Sequence, residues 1–588
     1  MKNRSLLFFL LVSVNLMAQR DTLPAGLAEH EKALINWHYF TTPVQPRGIE
    51  EPPPYPVRHM AEWEELQALA VTWRSFKEIL TQIIFHAAQE VPVVVFCPNQ
   101  SGVNEAQTQL LAAGVNMNNV QLVTVPSNSI WIRDYGPNCV YANDTEQLYF
   151  VDWVYNRPRP LDDVLPDQAA TLFNAPIYST TLNPDRMVNT GGNFMSDGMG
   201  TAFASKLILD ENKPGNAYNA GPHAEDDIDA IMNAYMGIDR FIKMETLPYD
   251  GIHHIDMHMK LLDEETLLVG QYPAGVSDGP QIEANLEYVL SNFQSSFGTP
   301  YKVVRVVQPP DFNGSFPPGG DYRTYTNSVM VNKTILVPTY EEQYDSIALR
   351  TYRENFPGYK VVGINCNDMI WASGALHCIT KEIGSAEPLL IQHQRLKDIS
   401  DNELQGDYPL TATIKHGTGI ANAQVFYTTD TLQGYQVANL TLLGPNSDSW
   451  AGQIPHQQDG SVIYYYIRAQ ANSTKTQVRP LAAPAGFYRF KVEGNPTNAN
   501  EITESTLLPV YPNPAGGVTV IPVTTNRTVN ARIEVFDVLG KKVSTVHNGN
   551  VPKGESKYFI HAERFSPGTY FVTLTTEATA RSQKLIVK

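Results

Sequence analysis

The chain has 588 residues, of which 43% are hydrophobic and 18% charged, with a formal net charge of -17. That length exceeds what one core can organise and predicts several domains. The acidic balance excludes an ordinary nucleic-acid binder, which needs a basic footprint. Four cysteines in so long a chain exclude the dense disulfide framework of a small secreted scaffold.

Residues 1–18 read as a secretory signal. Lys2 and Arg4 form a positive start, Leu6 to Val14 an apolar run, and Met17-Ala18-Gln19 offers a small residue before a cut. The run is too short to span a bilayer and no later segment qualifies, so no transmembrane segment is expected. Residues 19–54 are polar and end in Glu50-Glu51-Pro52-Pro53-Pro54, a density of proline that excludes a helix or central strand. They read as a pro-segment or linker. Export permits disulfides, and Cys97, Cys139, Cys366 and Cys378 are an even set, for which two bridges is the plainest reading.

Residues 55–397 alternate strand and helix signals. Ala68 to Trp73, Val91 to Phe96 and Val120 to Val125 are short apolar strands; Phe76 to Ala88 and Ala106 to Ala113 have helical spacing. An α/β domain follows from that alternation. Polar clusters recur at Arg133-Asp134, Gly191-Gly192-Asn193, His254-Ile255-Asp256, Thr326-Asn327-Ser328 and His377-Cys378, a rhythm that suits a ring of repeated units. Residues 398–492 alternate apolar and polar positions between Gly, Asn and Asp turns, as an immunoglobulin-like β-sandwich does. A polar linker at 493–504 leads to a further all-β unit at 505–588, which carries a net charge of about +5 against the acidic remainder.

Three stretches of the α/β region carry chemistry. In Trp131-Ile132-Arg133-Asp134-Tyr135-Gly136-Pro137 an Arg–Asp pair precedes a breaker, and a structural salt bridge competes with a functional carboxylate. In His253-His254-Ile255-Asp256-Met257-His258-Met259-Lys260 an extended strand would point His254, Asp256, His258 and Lys260 to one face. Such a row is a satisfied network, a metal site, or the acid/base of a nucleophilic site; no HExxH or CxxC spacing accompanies it. In Asn156-Arg157-Pro158-Arg159-Pro160 the prolines hold the segment extended with both arginines on one face, a clamp for a carboxylate or else a solvated loop paired with Asp162 and Asp163. Cys378 follows a small-residue turn, Ser373-Gly374-Ala375. A thiol, a histidine and two carboxylates are what attack on a guanidinium carbon requires: the carboxylates bind the fork, the thiolate attacks, and the histidine moves the protons.

The five motifs, ending in Leu376-His377-Cys378-Ile379-Thr380, stand in the order found in the bacterial peptidylarginine deiminase and agmatine deiminase family, which this region resembles. The resemblance implies a five-bladed, pseudo-symmetric α/β propeller of the pentein kind. It further implies Cys378 as nucleophile, His254 as acid/base, Asp134 and Asp256 as guanidinium-binding carboxylates and Asn327 as a positioning group. Trp131 would line the substrate's stem, and Arg157 and Arg159 would grip the carboxylate of a C-terminal arginine. The expected reaction is hydrolysis of arginine, chiefly the C-terminal arginine of peptides, to citrulline and ammonia, with no cofactor and no metal. Alternatives are deimination of agmatine to N-carbamoylputrescine, a metallohydrolase using His253, His254, Asp256 and His258, and a non-catalytic surface adhesin. The tail, with Tyr511-Pro512-Asn513-Pro514 and Val535-Phe536-Asp537-Val538-Leu539-Gly540, resembles a type IX secretion sorting domain. It implies export through the periplasm and outer membrane, with the secretion machinery as partner and the protein secreted or surface-attached.

Overall fold

The computed structural model describes residues 22–41, 47–221, 223–400, 406–493 and 505–588. The expected signal and nearly all of the second linker lie outside the described residues. The chain folds as two compact units, the first comprising Met1–Met257, Asn327–Pro338 and Ile364–Ala386.

The first unit is built from short, buried sheets. Strands Leu66–Thr72, Val93–Cys97 and Val120–Thr124 run parallel, and Lys381–Gly384 closes the edge antiparallel to Leu66–Thr72. Val93–Cys97 is buried on both faces, which is why it reads as a continuous apolar run rather than an alternation. The helices Lys77–Ala87 and Gln100–Ala112 connect the parallel strands, and the second is capped by Asn99, whose side chain accepts from the Gly102 amide at 2.9 Å. A second sheet carries Val57–His59, Asn138–Ala142, Gln147–Tyr155 and Ile177–Thr180. A third pairs Thr201–Ser205 in parallel with Arg240–Met244. The hairpin Val329–Val331 with Thr334–Thr339 brings Asn327 to its entry.

The second unit comprises His258–Thr326, Thr339–Gly363 and Glu387–Lys588. It opens with a sheet of Met259–Asp263, Thr266–Gln271 and Lys302–Val307, with the helix Gly279–Asn292 between the last two. An all-β region follows. Tyr408–Lys415 alternates buried and outward residues, and its buried positions Tyr408, Leu410, Ala412 and Ile414 join Val425, Tyr427, Tyr465, Ile467 and Phe490 in one core. Leu390–Gln392 is already paired with Tyr408–Lys415, so this sheet begins upstream of residue 398. The last 84 described residues, 505–588, form a sandwich whose two sheets share a core that includes Ile521, Val523, Ile533, Val535, Val572, Leu574 and Leu585.

Two expectations do not hold. Cys97, Cys139, Cys366 and Cys378 are all free and buried, so there are no two bridges among them. The stretch from His253 to Lys260 is not a strand: His253 has φ +58°, residues Ile255–Met257 form a 3-10 turn, and the strand begins at Met259. The period of two therefore does not govern His254 and Asp256, and His258 and Lys260 belong to the second unit. Among the described residues no helix is long and apolar enough to cross a membrane.

Candidate active site

Cys378 lies in the 3-10 turn His377–Ile379 and is 1% exposed. Its Sγ is 3.3 Å from Asn327 Nδ2 and 3.6 Å from Asp256 Oδ2. Asn327 Oδ1 accepts from the His377 amide at 3.0 Å, so one side chain both touches the sulfur and fixes the turn that carries it. His254 is wholly buried, with Nδ1 3.6 Å from Asp134 Oδ1 and Nε2 3.5 Å from Thr190 Oγ1. Asp134 sits in the helical turn Ile132–Tyr135 and accepts from the Gly192 amide at 3.1 Å.

These groups converge on one point, and Gly192 marks it. A Cβ added to Gly192 would lie 2.4 Å from His254 Nδ1, 3.0 Å from Asp134 Oδ1 and 3.2 Å from Asp256 Oδ2. With no side chain at Gly192, two carboxylates and an imidazole gather about that point, a set of acceptors whose charge suits a planar cation with several N–H donors. A Cβ on Gly374 would meet the Trp131 ring at 2.4 Å and Cys378 Cβ at 3.2 Å, so Gly374 lets the indole close against the turn that carries Cys378. Trp131 is fully buried.

The electrostatics follow from burial. Burial, then the charges of Asp256 and Asp134, push the Cys378 thiol well above its ordinary range, so in the free enzyme it keeps its proton. Burial lowers the His254 imidazole while Asp134 and Asp256 pull the other way, and the net direction is down, toward the neutral ring. For Asp256, burial raises the carboxyl, but the hydrogen bond and charge of His377, with His254 and Arg133, more than offset it and hold the group ionised.

Two supporting residues were not singled out in the sequence. His377 Nδ1 is 2.8 Å from Asp256 Oδ2 and its Nε2 is 2.8 Å from Glu62 Oε1, a bridge, buried at Asp256 and half-buried at Glu62, that fixes the Asp256 carboxylate. His377 was visible only as the neighbour of a cysteine, and Glu62, 315 residues away, carried no local signal. The Arg133–Asp134 pair is no salt bridge: Arg133 pairs with Glu382 at 2.6 Å and donates to the His377 carbonyl at 3.1 Å, which frees Asp134 for the set of acceptors about Gly192.

The metal alternative finds a different set of residues. The group of described side chains whose ligand atoms approach within 4.8 Å of one another is Glu62, His377 and Glu382, not His253, His254, Asp256 and His258. Its atoms are already engaged, with His377 on Asp256 and Glu62, and Glu382 on Arg133.

The arginine clamp also differs from expectation. Arg157 and Arg159 lie in a tight turn, with the Arg159 amide donating to the Arg157 carbonyl at 2.7 Å, rather than on an extended segment. Neither pairs with Asp162 or Asp163: Asp162 accepts from Asn128 and Ser129, and Asp163 from the Tyr155 amide and Arg47. Arg159 instead grips Glu31 with two bonds, 2.8 Å and 2.9 Å, and Arg157 Nε donates to the Ala25 carbonyl at 3.0 Å. Both forks hold a carboxylate or carbonyls of residues 24–31 of the same chain, and each also donates to its own flank, Arg157 to the Asn156 carbonyl at 3.0 Å and Arg159 to the Tyr155 hydroxyl at 3.3 Å.

Comparison with known proteins places the chain in a family. The sequence profile described as "Porphyromonas-type peptidyl-arginine deiminase" matches residues 55–383, and one described as "Secretion system C-terminal sorting domain" matches residues 509–588. The chain is 25% identical over 341 residues to a protein of Legionella pneumophila (strain Paris) that carries the description of an agmatine deiminase, spanning 55% of this chain and 94% of that one. A protein of Lactococcus lactis with the same description is 25% identical over 322 residues, spanning 49% and 82% of the two chains. A solved structure again described as an agmatine deiminase superposes with a TM-score of 0.51 at 20% identity, covering 58% of this chain and all of its own, and it supports the α/β fold. The sorting domain marks the protein for export and for secretion or attachment at the surface. By the extent of that first match, the chain belongs to the Porphyromonas-type peptidyl-arginine deiminase family.

Proposed function

We propose that this protein hydrolyses the guanidinium of arginine, preferentially a peptide's C-terminal arginine, to citrulline and ammonia through a covalent intermediate on Cys378. The convergence of Asp134, Asp256 and His254 on the space beside Gly192 carries the reading. A guanidinium entering that space gives N–H bonds to both carboxylates and so orients its central carbon toward Sγ. Its positive charge offsets the two carboxylates that raise the thiol, so the nucleophile ionises when substrate arrives. The released proton passes to His254, whose Nδ1 lies 3.6 Å from Asp134 Oδ1.

Sγ attacks the guanidinium carbon and an S–C bond forms. His254 gives its proton to one nitrogen, which leaves as ammonia, and an S-alkylthiouronium remains on Cys378. Water loses a proton to His254 and attacks the same carbon; the S–C bond breaks and the ureido product departs. Asn327, bonded to the His377 amide and near Sγ, holds the nucleophile in place throughout. Asp256 is kept ionised and oriented by His377.

The carboxylate-holding chemistry of Arg157 and Arg159 favours a substrate with a free carboxylate over agmatine, whose far end is a cation. Agmatine is retained as the second reading because the Legionella and Lactococcus relatives carry that description. We also propose five blades for residues 55–397, supported by the recurrence of short sheets and hairpins along that stretch. An immunoglobulin-like module and the sorting tail would follow, with the stretch before residue 55 a pro-segment behind a signal at 1–18. The experiment is a substrate panel: citrulline or carbamoylputrescine formation from a peptide ending in arginine, a peptide with internal arginine, and agmatine. Arg157→Ala with Arg159→Ala should reduce turnover of the first far more than the last; equal losses would remove the clamp from the substrate site.

A further inference from the structure

We infer that residues 23–31 are an internal occupant of the peptide-substrate site and hold this enzyme latent until they are displaced. The inference rests on the proposed role of Arg157 and Arg159 as the clamp for the substrate's carboxylate end.

The contacts are specific and come from three sides of the site. The Trp131 indole donates to the Leu23 carbonyl at 2.8 Å. Arg159 Nη2 donates to the Pro24 carbonyl at 2.8 Å and the Gly26 carbonyl at 2.9 Å, and Arg157 Nε to the Ala25 carbonyl at 3.0 Å. The Ala25 amide donates to the carbonyl of Ala372, in the turn that precedes Gly374 and Cys378. Ala25 is wholly buried, and a Cβ on Gly26 would meet Ile252 at 3.4 Å, two residues before His254. Glu31, 4% exposed, completes the set through its two bonds to Arg159; burial raises its carboxyl, but that pairing outweighs burial and leaves it below the ordinary range.

The chemistry of these contacts is that of a bound peptide. Successive main-chain carbonyls, one amide and one carboxylate engage Nε and Nη2 of Arg159, Nε of Arg157, the indole N–H and the Ala372 carbonyl. A peptide ending in arginine offers the same acceptors and donor in its last residues. Residues 23–31 contain no arginine, so the occupant places no guanidinium between Asp134 and Asp256 and binds without reacting. When the segment leaves, Arg159 loses its only ion-pair partner among the described residues, Glu31, and a substrate carboxylate can take that place. By mass action the apparent affinity for substrate falls by the fraction of molecules whose site is free.

The test uses the full chain with a protease site placed at residues 42–46 and cut only after folding, so that residues 23–31 can dissociate. Two readouts are followed: citrulline formation from a peptide ending in arginine, and the rate at which a small haloacetamidine alkylates Cys378, located by peptide mapping. Cutting and removing the fragment should raise kcat/KM and the alkylation rate by about tenfold or more, and a synthetic peptide of residues 22–32 should restore inhibition competitively. Glu31→Gln in the uncut chain should move both in the same direction by a smaller factor. Unchanged alkylation and unchanged kcat/KM after verified loss of the fragment would overturn the inference, as would loss of both, which would make the segment a permanent wall of the site. Faster alkylation with no citrulline from any substrate would uphold the occlusion and instead refute the deiminase reading on which the substrate assignment rests.

Discussion

Replacing Gly192 by alanine tests this set of acceptors with a single methyl group. Gly192 lies outside the left-handed region of backbone space, so alanine imposes no conformational strain there. Its amide bond to Asp134 is also kept. The added carbon would fall 2.4 Å from His254 Nδ1, closer than any contact of that kind allows, and within 3.2 Å of both carboxylates. The imidazole or the turn must shift by about 1 Å, and a displacement of that size at reacting groups costs about a hundredfold in rate. The expected result is a loss of at least that factor in kcat/KM for the arginine peptide, with the thermal transition close to that of the parent. Steady-state citrulline assay and calorimetry on the same preparation measure both. Full activity in Gly192→Ala would refute the placement of the guanidinium between Asp134 and Asp256.

Three further outcomes follow from the same structure. His377→Gln removes the Glu62–His377–Asp256 bridge, and because His377 only positions Asp256, KM should rise by about tenfold with a smaller change in kcat; an unchanged KM would leave the bridge without a role in binding. With residues 23–31 removed, Cys378 should react slowly with neutral alkylating reagents near neutral pH and faster as pH rises, because its thiol is held up by burial and two carboxylates, whereas a guanidinium-like reagent should react readily at neutral pH; equal rates for the two reagents would contradict substrate-assisted ionisation. In the all-β region, burial holds His393 down at about 4, against about 6.5 in an unfolded chain. The unfolded state therefore binds the extra proton as pH falls below 6.5, and stability is lost from there toward 4. That group alone should make the region about 2 kcal/mol less stable at pH 5 than at pH 7, and His393→Gln should flatten that slope in calorimetry.

The regular parts of the fold were legible because burial writes them directly. Val91 to Phe96 reads as a short apolar strand and a buried strand stands at Val93–Cys97, while the alternation of Tyr408, Leu410, Ala412 and Ile414 marks the half-buried strand Tyr408–Lys415. The motifs around Asp134, Gly192, His254, Asn327 and Cys378 were legible as a set, although the sequence does not say how they meet. The period of two failed across His253–Lys260 because a positive φ at His253 and a 3-10 turn replace the strand, and nothing within that stretch is a glycine or proline. The Arg133–Asp134 pair misled for a related reason: neighbours in sequence point to different partners when the backbone turns, and Arg133 found Glu382. The occupant of the clamp was illegible because Glu31 and Arg159 are 128 residues apart and complementary charge at that distance leaves no local pattern.

The most direct measurement is rapid acid quench of the enzyme turning over a peptide ending in arginine, followed by mass spectrometry of the peptide that carries Cys378. Attack by Sγ with departure of ammonia predicts a transient adduct on Cys378 equal in mass to the substrate less one ammonia, absent from Cys97, Cys139 and Cys366. Cys378→Ala should form neither adduct nor citrulline. Citrulline formation that persists in Cys378→Ala, with no adduct at any time in the parent, would contradict the account.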